Sequence, residues 1–444
     1  MKQRLRAFLV LLPLAFTLPS SALAADTATP IEHLVVLMQE NHTFDNYFGT
    51  FPGADGIPSD VCMPLDLQDP DGACVSPYHI DQPRTSDPDH SSQSARQAFN
   101  EGAMNGFAAA QQSRNLDPRA SMGYWDGSDL PLYWNLATEY TLGDRFFSSA
   151  MGASQTNHMF WIAGQSGGHG GIPDEGFSIP TIFDRLEAAG TSWKMYVQNY
   201  DPSVTFRSSE NRGPQVIWAP LLAFSRFIDT PSLKAHIVDL SEYFDDLANG
   251  TLPAVSYLVP SGSSEHPPGN VTTGQNFGAS LVTALMRSDA WWQSLFLLTY
   301  DDWGGYYDHV PPPQVDADGY GFRVPALFVS PYSRRGQIDH TTYDYTSILK
   351  FIEDNWHLDP LTARDASANS IAASLDFDAP AVAPRFPDSI YGPPAASTTG
   401  APRLILIGAY GAVVVIFVIA LLLVALNPYA RLMRRRPART RRSS

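Results

Sequence analysis

Five short apolar runs of strand length narrow the possible folds more than any other feature. They are Leu34–Met38, Trp193–Val197, Val255–Val259, Leu295–Thr299 and Ala326–Ser330. Between them lie amphipathic stretches with helical spacing, including Leu130–Tyr140, Ile182–Ala189, Gly278–Ser288 and Tyr343–Asn355. Thr341 and Thr342 precede the last of these as candidate caps for its first amides. Strands exchanging with helices in this way predict an α/β fold, a largely parallel central sheet with helices on both faces. Ser59–Arg119 is polar and rich in Asp, Pro, Gly, Ser and Gln, which predicts a surface excursion outside the sheet.

The two ends read differently from the middle. Lys2, Arg4 and Arg6, an apolar run from Ala7 to Leu18 and the small-x-small pattern Ala22-Leu23-Ala24 predict a signal peptide over 1–24. Residues 25–375 form the expected catalytic domain. Residues 376–403, rich in Pro and Ala, read as a semi-rigid stalk. Leu404–Leu426 has no charge and no proline, and as a helix it would be about 35 Å long, enough to cross a bilayer. The arginines of 427–444 predict a cytoplasmic tail, which makes the chain a single-pass protein of the bacterial cell membrane with its catalytic domain outside.

Charge and cysteines add limits. Formal net charge is −16. Without three basic residues at the start and eight from Arg403 onward, 18 of the 29 remain against 45 acidic, about −27. That sign excludes a nucleic-acid partner. An anionic substrate would then need a local basic feature or a metal to be drawn in. Cys62 and Cys74, the only two cysteines, bracket a short loop and predict a structural disulfide in an exported chain.

Chemistry concentrates where apolar runs end. LVVLMQENHTFDNYFG puts Glu40 and Asn41 just after one strand, and LFLLTYDDWGGYYDHVPPP puts Asp301 and Asp302 just after another. Ligands bind beyond the carboxyl ends of strands in open α/β sheets. Three carboxylates and an amide gathered there would repel unless protons or a cation intervened, and such oxygen-rich sets suit a divalent metal. In GASQTNHMF, Ser154 sits among small residues ahead of an apolar stretch, as at a helix N-terminus that attracts phosphate. His90 in DPDHSSQ and His266 in SSEHPPGN add imidazoles able to donate to phosphate oxygens or to a leaving alkoxide. His309 reads as a residue that ties down its own turn.

With these stretches in order from about Ile31 to Trp356, the chain resembles the bacterial phosphoesterase family that contains acid phosphatases and phospholipases C. The resemblance implies a fold like that of alkaline phosphatase. It implies metal- or phosphate-site ligands at Glu40, Asn41, Asp301 and Asp302, a nucleophilic hydroxyl at Ser154, and active-site histidines at His90 and His266. It also implies substrate contacts at Asn41, Asn157 and His158. Two departures stand out. Thr156 and His158 occupy positions where the family often has proline and arginine, while Ser154 and Asp302 are more like the acid-phosphatase branch than the phospholipases. The expected activity is hydrolysis of a phosphomonoester, with a phospholipid head group as the alternative substrate. A catalytically inactive surface binding protein is the non-enzymatic alternative.

Overall fold

The first apolar run becomes β1 (His33–Gln39). In a computed structural model that describes residues 26–168, 171–208 and 214–386, strands from much later in the chain flank it on both sides. Those neighbours are β5 (Val255–Val259) and β6 (Ser294–Tyr300). Around them lie β2 (Thr141–Gly143), β3 (Trp193–Val197), β4 (Ile237–Asp239), β7 (Ala326–Val329) and β8 (Gln337–Asp339). Among the described residues these eight form one sheet in the order β8-β2-β7-β6-β1-β5-β3-β4. All five side chains of β5 and all seven of β6 are buried. Because successive side chains point to opposite faces, burial of every one requires both faces to be covered.

The sheet is mixed and mostly parallel, in line with the largely parallel sheet expected. β7 runs antiparallel to both β6 and β2, and the other five pairings are parallel. The expected C-terminal transmembrane helix, by contrast, is corrected. Among the described residues no helix is long and apolar enough to cross a membrane. The 404–426 segment, like the signal segment 1–24 and the tail, lies outside the described residues. The single-pass anchor and the placement in the cell membrane are therefore withdrawn.

Other expectations meet smaller revisions. The helix α5 (Tyr345–Asn355) is capped by Asp344 in a capping box with Ser347, not by Thr341 or Thr342. The polar excursion has a core of its own: Met63, Phe107, Met122 and, from the helix α2 (Ser92–Phe99), Ala95 and Ala98 pack with Trp303, Tyr307 and Phe322. Cys62 and Cys74 within it form a disulfide. The first residues of the Pro/Ala-rich segment hold to the domain, through Asp376 N to Tyr332 O at 2.9 Å and Val382 N to Pro331 O at 3.0 Å.

Register is what builds the site. Gln39 pairs with Tyr300, and Asp301 N donates to Gln39 O at 3.0 Å, so β1 and β6 end side by side. Glu40 N donates to Ser264 O at 2.9 Å, which brings the loop after β5 to the same edge. Three neighbouring parallel strands thus deliver Glu40 and Asn41, Asp301 and Asp302, and Glu265 and His266 to one end of the sheet.

Candidate active site

Asn41 leaves β1 with φ of 65°, in the left-handed region that asparagine tolerates better than most residues. Its amide N donates to Asp301 Oδ1 at 2.8 Å, locking the two strand ends together. Glycine is required opposite: a Cβ on Gly304 would lie 2.0 Å from the Asn41 carbonyl oxygen, and one on Gly305 2.5 Å from Pro88 Cβ. The two glycines of DDWGG therefore let the Asn41 turn and the His90 loop close on the strand ends.

Ser154 opens the helix α3 (Ser154–Ala163), and its Oγ donates to Asp302 Oδ2 at 3.2 Å. Asp302 Oδ1 accepts from Gly304 N at 2.9 Å. Asn157 holds the loop that presents Ser154: its Oδ1 accepts from Ala150 N at 3.0 Å, and its Nδ2 donates to the carbonyls of Ala150 and Gly152, each at 3.3 Å. These contacts turn Asn157 to its own loop. His158, one turn after Ser154, faces the acids instead, with Nε2 3.4 Å from Glu40 Oε1 and Nδ1 2.8 Å from Ser154 O.

The electrostatics are unbalanced. Glu40, Asp301 and Asp302 are fully buried. Burial, then the charges of Asp301 and Asp302, hold the Glu40 carboxyl well above its ordinary range. Burial, then Asp301, does the same to Asp302. Burial lowers the pKa of His158. Both Glu40 carboxylate oxygens, Asp301 Oδ2 and Asn41 Oδ1 are buried without a hydrogen-bond partner. Orphaned oxygens of this kind are costly unless something charged or hydrogen-bonding meets them. One ligand atom each from Glu40, His158 and Asp301 lies within a 4.8 Å group. This set of donors fits a divalent cation.

A second acidic cluster shows what neutralisation looks like here. Asp45, Asp308 and His309 are as closely grouped. Between them the buried Arg323 donates to Asp308 Oδ1 at 2.8 Å and to Asp45 Oδ1 at 3.0 Å. A guanidinium already occupies that centre, and it rivets the 301–309 loop to the helix α1 (Phe44–Phe48). His309 does tie its turn, with Nδ1 2.7 Å from Asp45 Oδ2.

The other two expected histidines flank the acids. His90 Nδ1 donates to Pro88 O at 2.9 Å, so Nε2 accepts from Asn41 Nδ2 at 3.2 Å. That contact turns the Asn41 Oδ1 away from His90. The His266 ring stands edge-on to His90 with centroids 5.5 Å apart. Its Nδ1 donates to Pro267 O at 2.7 Å, which leaves Nε2 unengaged by that bond, and the residue lines a cleft of about 470 Å³ with Arg84, Trp218 and Ser261.

Sequence reasoning missed Glu265. Its buried carboxylate accepts from the hydroxyls of Tyr47 at 2.6 Å and Tyr300 at 2.7 Å, from Gln39 Nε2 at 3.2 Å, and from Tyr133. Burial nevertheless raises its pKa to about 7. A solitary acid in a proline-rich loop gave no signal of this.

Comparison with known proteins bears on the same stretch. The Phosphoesterase family matches residues 31–359. Phospholipase C B of Mycobacterium tuberculosis is 30% identical over 79% of this chain and 79% of its own. A non-hemolytic phospholipase C of Pseudomonas aeruginosa is 30% identical over 73% of this chain and 54% of its own. Non-specific phospholipase C3 of Arabidopsis thaliana is 28% identical over 81% and 76%. A solved structure from Vibrio parahaemolyticus, described as a protein in the alkaline phosphatase superfamily, aligns at 10% identity over 74% of this chain and 69% of its own, with a TM-score of 0.35. So slight a likeness says nothing further of this chain.

Proposed function

The chain belongs to the phosphoesterase family and is a hydrolase of phosphoric esters; from that premise we propose that Ser154 is its nucleophile and that its substrate is a phospholipid, opened at the glycerol side of the head-group phosphodiester. The observation that carries the site assignment is a hydroxyl at a helix N-terminus set against a buried acid group whose oxygens lack partners. The choice of phospholipid rests on the similarity to proteins named phospholipase C.

Glu40, Asp301 and Asn41 Oδ1 would hold a divalent cation, with Asp302 beside them. Bound there, a cation supplies positive charge to the phosphoryl oxygens and makes a serine hydroxyl easier to ionise. The remaining steps belong to the chain. Ser154 Oγ passes its proton along the existing hydrogen bond to Asp302 Oδ2 and attacks phosphorus in line. The phosphorus–oxygen bond to diacylglycerol breaks, and His266 Nε2, when protonated, returns a proton to the departing oxygen. Water, giving its proton to the now neutral His266, then opens the phosphoserine from the opposite side, and Ser154 recovers its proton from Asp302. The dipole of α3 favours the phosphate at its N-terminus.

Ser154→Ala should abolish release of phosphocholine from phosphatidylcholine vesicles while circular dichroism and Tm stay unchanged. Full turnover in that variant would remove serine from the reaction. Ser154 and Asp302 also support a second reading, phosphomonoester hydrolysis, because they resemble the acid-phosphatase branch. Turnover of p-nitrophenyl phosphate exceeding that of phosphatidylcholine vesicles would favour it.

A further inference from the structure

His158 is part of the acid cluster, yet nothing in the proposed reaction uses it. Its Nδ1 lies 2.8 Å from a carbonyl oxygen, Ser154 O. A carbonyl can only accept, so Nδ1 carries the hydrogen. In the neutral ring Nε2 is then a bare lone pair, and it points to Glu40 Oε1 at 3.4 Å. With Glu40 ionised, as a metal ligand must be, the two are both acceptors and do not attract each other, and the Glu40 oxygen has no other partner. The separation has a simple meaning if both are donors to one ion. Ligands about 2.0–2.2 Å from a shared metal, at tetrahedral or octahedral angles, lie roughly 3–3.5 Å apart. His158 is 1% exposed, so no bulk water competes for that lone pair.

We propose that His158 Nε2 is a direct ligand of the cation held by Glu40 and Asp301, and that this nitrogen makes the centre select a later transition-metal dication such as zinc or cobalt over magnesium or calcium. The inference rests on the reading of the site as a metal centre. Carboxylates, carbonyls and water suit magnesium and calcium, whereas an imidazole brings affinity for the later ions. His158 lies one helical turn after Ser154, so its Nδ1–H bond to the Ser154 carbonyl also fixes the metal position relative to the nucleophile's own backbone.

The test uses the full chain, stripped of metal and titrated separately with zinc and magnesium by calorimetry. Wild type should bind zinc more tightly than magnesium. His158→Asn keeps an N–H for the Ser154 carbonyl but places no donor at the metal. It should lose about 100-fold in zinc affinity and little in magnesium affinity. Glu40→Gln should weaken both. A readout independent of any variant's folding comes from electron spin echo modulation of the manganese-loaded wild type, which should show coupling to an imidazole nitrogen. If that coupling is absent, or if His158→Asn binds zinc as wild type does, His158 is not a ligand, although a response in Glu40→Gln would leave the metal centre standing. If wild type and Glu40→Gln both fail to bind any of these ions, the metal centre itself falls, and the role of His158 with it.

Discussion

Asp302 accepts from both Ser154 Oγ and Gly304 N. Asp302→Asn keeps an oxygen for the glycine amide while removing the base, so kcat should fall by about 10²–10⁴ with little change in Tm. Undiminished kcat would take Asp302 out of the proton transfer. Glu265 makes a different prediction. Its folded pKa of about 7 lies above its ordinary 4.5. Between these values the folded protein keeps a proton that the unfolded chain has lost, so stability falls as pH rises through that window. The loss is on the order of 3 kcal/mol. Melting measured from pH 4 to 8 with the Glu40 centre saturated by zinc should show the decline, and Glu265→Gln should flatten it. The acids at strand ends were legible because an apolar run that stops at Glu40 or at Asp301 announces itself. Glu265 was not, since its surroundings are Tyr47, Tyr133 and Tyr300 from three distant segments. Asn157 was placed in the site by its motif, but its partner, the Ala150 backbone, becomes apparent only once the loop is folded.

At the scale of elements, the apolar runs identified their strands, whereas the direction of β7 was hidden. An apolar run of four residues has the same composition read either way, and only its pairing with β6 and β2 sets its sense. The helix α4 (Val271–Met286) starts seven residues before the expected Gly278, at an Asn270 cap. Gly274 and Gly278 lower intrinsic helix propensity and masked that start. Gly274 is there for packing, since a Cβ would sit 1.9 Å from Glu265 Cγ. Gly304 has the same kind of role in the catalytic loop, at φ of 58° against the Asn41 carbonyl. Gly304→Ala must push the Asn41 turn away from Asp301. A displacement near 1 Å in such a site costs about 10²-fold in kcat. Kinetics and zinc calorimetry on Gly304→Ala should show both turnover and affinity reduced; unchanged values would mean that the loop has room the packing does not suggest.

For the molecule as a whole, a cation that binds only the folded site must raise global stability. At 100 times its Kd the gain is about 2.7 kcal/mol. Differential scanning calorimetry should show Tm rising with zinc and falling back with chelator, and hydrolysis should follow the same course. A Tm and an activity both indifferent to chelator would argue against the metal centre. The position of β1 carries one more consequence. The first strand among the described residues sits between β5 and β6, whose residues are numbered more than 200 positions later. On the ribosome, therefore, β1 emerges more than 200 residues ahead of the strands that flank it and waits with its buried faces unmatched. Chains interrupted before Tyr300 can neither seat that strand nor bring Glu40 to its acids, so premature termination yields aggregation-prone fragments and no partial enzyme.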